Sequence, residues 1–210
     1  GVEGEEKADK TYNYNFNGTE VKTTTALAYT GDTLTASTTF RGVHTLTGVG
    51  GTKRSVTVFT GDEGEEKAQT TYNYNFNGTE VKTTTALTYV GDRLSESTTF
   101  RGVHSVTGAG GVKRSLTIFT GAEGEEKADK TYNYNFAGDQ VKTTTQLVYS
   151  GETLTTSTTF RGVHTVTGVG GTKRSVTVFT GAEGEEKADK TYNYNFAGDQ
   201  IKTTTALAYT

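Results

Sequence analysis

The 210-residue chain has no cysteine, proline, methionine or tryptophan, and each absence removes a class of explanation. Without cysteine there is no disulfide framework, no thiol nucleophile and no thiolate metal site. Without proline every backbone N–H is available to a hydrogen-bonded ladder, as a continuous sheet requires. An excess of one charge is missing too, with 21 lysines and arginines against 24 aspartates and glutamates, a formal net charge of −3. Basic residues stand singly apart from Lys53-Arg54 and its repeats, so the phosphate-binding stripe of a nucleic-acid binder is absent and nucleic acid is not an expected partner. No apolar run approaches the roughly 20 residues that span a bilayer, so membrane insertion is not expected. Gly1 opens the chain without an initiator methionine or a signal-type hydrophobic segment, which suits a mature form or an excised piece.

What is present is repetition. Near-identical segments begin at Gly1, Gly61, Gly121 and Gly181, a period of 60 residues that divides the chain into repeats at 1–60, 61–120 and 121–180 and a half repeat at 181–210. A fainter echo at half that period lays TLTG at 45–48 over NFNG at 15–18, so each half repeat reads as a β-hairpin. Any site built inside one repeat would recur, which makes a single unique active site improbable and multivalence the natural consequence.

Alternation of period two dominates within a repeat, and Thr, Tyr, Val and Phe supply the β-branched and aromatic side chains of a pleated surface. The expected fold is all-β: four antiparallel strands per repeat at about 8–16, 20–30, 33–47 and 52–60, stacked as a repeat array. A β-propeller-like ring and β-sandwich modules are the alternatives. Asn17-Gly18 predicts a type I′ hairpin turn, Gly31-Asp32 a tight turn and Gly48–Gly51 a looser one, while the acidic link Gly61–Glu66 is either a solvated loop or a module boundary. Aliphatic exchange among the copies at 46, 56 and 58 nominates these positions for the core. Substitution at 26 and 28 predicts that this face of the second strand meets water. A bulge at Arg41-Gly42 would reset the alternation of the third strand.

With 31% hydrophobic residues, one isolated repeat is marginal, because burying an apolar side chain yields about 1.5–3 kcal/mol while ordering each backbone unit costs about 1–2 kcal/mol. Repeats that share strand edges close that gap.

Few residues invite chemistry. His44, His104 and His164 follow Arg41, Arg101 and Arg161 in FRGVH, but no nucleophile stands at a matching spacing, so catalysis is not expected. The acidic run Glu3–Glu6 and its copies lack the alternating ligands of a calcium loop, so neither a metal nor a cofactor is expected. The most distinctive feature is the aromatic ladder Tyr12, Tyr14, Phe16 with Asn13 and Asn15 interleaved, repeated as Tyr72, Asn73, Tyr74, Asn75 and as Tyr132, Asn133, Tyr134, Asn135. Tyrosine beside asparagine suits a sugar ring, whereas alternating aromatics also suit a half-buried strand, and the second reading is preferred. Threonine runs such as Thr23–Thr25 raise ice binding, against which Lys22, Tyr29 and Arg41 interrupt any flat array. Asn17-Gly18-Thr19 matches the glycosylation sequon, but Ala137 and Ala197 replace the asparagine in later copies.

The sequence therefore points to a non-enzymatic extracellular or cell-surface protein, a structural or adhesive segment that self-associates through terminal strand edges as part of a fibre. A multivalent lectin, with one shallow glycan site per repeat at the tyrosine, asparagine, arginine and histidine positions named above, is the rival. An engineered or consensus repeat is the third reading.

Overall fold

The computed structural model describes residues 6–45, 51–105, 111–165 and 171–209. Strands form wherever the alternating, β-branched segments run between glycine turns. They are β1 (Lys10–Tyr14), β2 (Val21–Thr30), β3 (Thr33–Arg41), β4 (Lys53–Thr60), β5 (Lys67–Tyr74), β6 (Val81–Val90) and β7 (Arg93–Arg101), followed by β8 (Lys113–Thr120), β9 (Lys127–Tyr134), β10 (Val141–Ser150), β11 (Thr153–Arg161), β12 (Lys173–Thr180), β13 (Lys187–Tyr194) and β14 (Ile201–Ala206). The order in the sheet is the order in the chain, an antiparallel meander. The chain divides into two compact units, Gly1–Thr88 with Thr99–Gly111 and Tyr89–Thr98 with Val112–Thr210.

In the first unit β1 to β5 pair successively and β5 continues onto β6. The second unit repeats the pattern from β8 to β14. The last strand of one repeat is hydrogen-bonded to the first strand of the next at β4–β5, β8–β9 and β12–β13. Propeller blades and sandwich modules have no such ladder between them, so the repeat array is the architecture. Gly61–Glu66 is accordingly a hairpin loop inside the ladder. Its Glu66 carboxylate turns back to accept the backbone N–H of Leu34 at 2.9 Å and of Gly64 at 3.0 Å, a clasp repeated by Glu126 on Leu94 and Glu186 on Leu154.

Two turns differ in their fit to expectation. Gly31 alone has positive φ (59°), and Thr30 pairs with Thr33, so 31–32 is the two-residue turn expected. At 15–20 the expected type I′ turn does not form, because that turn needs positive φ at both central residues and only Gly18 (69°) has it. The loop is longer, closed by the Asn15 N–H on the Glu20 carbonyl at 2.8 Å, with the Asn15 side-chain oxygen accepting the Thr19 N–H at 2.9 Å. Asparagine carries out the capping that a shorter turn would not need.

The third strand ends at Arg41 rather than at 47, as Gly42 takes positive φ while its N–H still reaches the Lys22 carbonyl of β2 at 2.8 Å. A register shift does occur beside it, between Thr39 and Phe40 on the β4 side. Leu46, Val106 and Val166 lie outside the described residues, as do Gly48 to Gly50. Val56 and Val58 are half-buried, and the only apolar side chains buried among the described residues are Phe40, Phe100 and Phe160. The core is thus a small knot recurring once per repeat.

Thr24 builds that knot. It has no exposed surface, donates its hydroxyl to the Gly42 carbonyl at 2.8 Å and accepts the His44 N–H at 3.1 Å. One hydroxyl thereby satisfies a donor and an acceptor of the chain that folds back over Phe40, groups that would otherwise be buried unpaired. Thr84 and Thr144 repeat both bonds. Thr24 shares its face of β2 with Ala26, so the expectation that this face meets water is overturned at its centre, and the face is covered by the returning 42–44 segment rather than by a second sheet. The variable positions Ala28, Thr88 and Val148 are exposed, as substitution implied.

Candidate functional site

The structure sorts the candidate residues into three environments. His44, His104 and His164 stack on Phe40, Phe100 and Phe160 with ring centroids 3.7 Å apart and planes within 21° of parallel. A Cβ on Gly51 would lie 2.6 Å from the Phe40 ring, so the chain closes over this stack where only glycine fits. These histidines are packing residues.

Tyr12, Tyr72 and Tyr132 stand opposite Thr24, Thr84 and Thr144 on the face of the knot. The interleaved Asn13, Asn73 and Asn133 point to the other face, where each side-chain amide donates to a threonine hydroxyl of the next strand, Asn13 to Thr23 at 3.2 Å and Asn73 to Thr83 at 3.4 Å. Tyrosine and asparagine are therefore not brought to one surface. Threonine hydroxyls on the asparagine face also pair across strands, Thr25 with Thr39 at 3.2 Å and Thr57 with Thr71 at 3.0 Å. Asn15, Asn75 and Asn135 are committed to their loops.

The third environment lies at one end of the strands and was only partly anticipated. Tyr74 and Tyr134 lie beneath lysines, Lys53 and Lys113, each at 5.6 Å from the ring centroid. Arg41 places its guanidinium 5.2 Å from the Phe76 ring, and Arg161 does the same with Phe196. The aromatic ladder therefore does not end in a core, as Phe76 and Phe196 are exposed and act as platforms for arginine. Arg101 occupies the matching position in the second repeat. Arg161 also donates to the Asn195 carbonyl at 3.4 Å, while its Nε is buried without a hydrogen-bond partner.

Around Arg161 the second unit holds a cavity of about 370 Å³ lined by Val141, Lys142, Thr143, Gly162, Arg174 and Phe196. β10 begins, β11 ends and β12 begins here, and the loop after β13 brings Phe196. Three cations converge, and no aspartate or glutamate is in the lining. Repeats one and two place Lys22, Arg41, Arg54, Phe76 and Lys82, Arg101, Arg114, Phe136 at the same positions. There the lysine is neutralised, Lys22 by Glu20 at 2.9 Å and Lys82 by Glu80 at 3.0 Å. In the third repeat Gln140 replaces that glutamate, and Lys142 makes no ion pair among the described residues. The lysine and the second arginine were missing from the candidates. The sequence signals that could have found them are the Lys53-Arg54 pair and the Glu-to-Gln change at 140.

Among the described residues no three acidic or histidine side chains converge on a metal-sized space. In the acidic loops the last glutamate has its carboxyl pKa lowered by the backbone N–H bonds it accepts, foremost that from Leu34, Leu94 or Leu154. No helix among the described residues is long and apolar enough to cross a membrane. No protein-family model matches the chain, and no curated protein matches its sequence.

Proposed function

We propose that the protein is a non-enzymatic structural β-array, with an extracellular or cell-surface adhesive role, that grows by strand addition at its edges. The observation that carries this reading is the contrast between the same strand with and without a following neighbour. Thr24, Thr84 and Thr144 are wholly covered, whereas every residue of β14, of nearly the same sequence, is exposed. The covered knot of β2 shows what completes such a strand, a segment with the sequence of 33–60, whichever chain supplies it. A strand edge is a template for pairing, and a head-to-tail contact between unlike surfaces propagates unless its rotation closes. A meander with one small knot per repeat supports a mechanical role over a catalytic one.

Sedimentation and light scattering on the 210-residue chain and on a version extended by a copy of residues 31–60 test the reading. The chain is expected to associate with rising concentration. The extended form, whose last strand is of the β4 type that β5 normally meets, should associate more tightly and produce filaments. Monodisperse monomers of both at high concentration would overturn assembly through edges.

A further inference from the structure

We propose that the cationic cavity of the third repeat binds the anionic group of an acidic carbohydrate, a sulfate or a carboxylate, with the sugar ring laid on Phe196. The proposal is independent of edge assembly, since neither the β1 edge nor the β14 edge lines the cavity.

Lys142, Arg161 and Arg174 reach it from three successive strands, so an anion between them meets positive charge from several directions. Lys142 and Arg174 are exposed and have no ion-pair partner among the described residues, so their donors are available without breaking an existing bond. Arg161 is held in place by the Phe196 ring and by the Asn195 carbonyl. A guanidinium fixed this way keeps one orientation, and its terminal nitrogens are the donors for a carboxylate or sulfate, since its Nε is buried. The loop acids Asp139 and Asp199 each accept from the asparagine of their own loop at 2.6 Å. Thr143 adds a hydroxyl to the lining.

Phe196 decides the class of ligand. It is 86% exposed, and a broad apolar ring beside hydroxyl and guanidinium donors fits the apolar face of a pyranose. The same aromatic and basic residue types recur at the matching sequence positions of each full repeat. The dense phosphate backbone of nucleic acid is a poorer match for a chain of formal net charge −3. The first two copies carry Glu20 and Glu80 on their lysines, so the third site is the strongest.

Isothermal titration of the full chain with a heparin-type sulfated oligosaccharide, an oligogalacturonate, neutral dextran and inorganic sulfate tests this. Binding of the sulfated or the uronate oligosaccharide with no heat from dextran is expected, and which of the two binds identifies the anion. Arg174→Ser should weaken binding at least tenfold. Gln140→Glu, which installs the residue that the first two copies carry, should weaken it severalfold without altering the circular dichroism. Phe196→Ala, which removes both the sugar platform and the ring beneath Arg161, should weaken the oligosaccharide by a larger factor than it weakens inorganic sulfate. Absence of binding by both acidic oligosaccharides, indifference to Gln140→Glu and Arg174→Ser, or equal affinity for duplex DNA of the same charge would each overturn the proposal.

Discussion

β2 and β14 differ by one methylene over their first six residues, Val21-Lys22-Thr23-Thr24-Thr25-Ala26 against Ile201-Lys202-Thr203-Thr204-Thr205-Ala206, yet one buries its central threonine completely and the other buries nothing. At the opposite end of the order, β1 carries the same five residues as the last five of β9, Lys-Thr-Tyr-Asn-Tyr. In β9 Lys130 is 3% exposed and both tyrosines are half-buried, while Tyr12 and Tyr14 of β1 are 40% and 56% exposed. The comparison teaches that burial here belongs to the junction between strands and not to the strand. Each strand offers side chains that become core only when a neighbour's loop closes over them, so stability resides in interfaces, as in other repeat proteins.

The largest break in that comparison should come from Thr84. Thr84→Val removes the partner of both the buried Gly102 carbonyl and the His104 N–H and is expected to cost about 2–4 kcal/mol, whereas Thr204→Val should fall within about 0.5 kcal/mol. Urea titration of both variants measures the difference, and equal losses would place stability in the strand itself.

Acid should act on the junctions next. The carboxyls of Glu66, Glu126 and Glu186 have folded-state pKa values below their ordinary 4.5, so their contribution is fully present above that value and is lost as pH falls through the lowered folded pKa. Thermal melts from pH 6 to pH 2 should show a falling midpoint below about pH 4.5. Glu126→Gln should flatten part of that slope, and an unchanged slope would show that the clasp adds nothing.

The smallest expected effect separates Phe76 from Phe16. Phe76 supports Arg41 and Phe16 is fully exposed, so Phe76→Leu should cost about 0.5–1 kcal/mol and Phe16→Leu nothing measurable in the same titration.

Much of the fold was legible from local chemistry. Alternation and glycine punctuation placed the strands of each repeat, because the period of side-chain direction is a property of the extended backbone. The 60-residue period implied a repeating ladder, and the aliphatic exchange at 56 and 58 marked positions that are half-buried. The doubling of Asn15 as a loop cap was harder to see, since a favourable Asn-Gly dipeptide competes locally with a longer loop and the side-chain bond that decides between them needs the folded geometry.

The candidate site shows the same division. Sequence alone marked Arg161 and His164 as neighbours in FRGVH, but alternation and the turn at Gly162 send the arginine to Phe196 and the histidine onto Phe160. Lys142, Arg174 and Phe196 are separated by 32 and 22 residues along the chain, so only strand pairing and its register shifts bring them to one cavity. Sequence by itself determined the strands, their antiparallel sense and the repetition, all of which follow from interactions within a few residues or from periodic identity. Tertiary structure decided which threonine is core, which aromatic is a platform and where the cations meet, because burial and charge convergence depend on the strand across the ladder rather than the residues alongside in the chain.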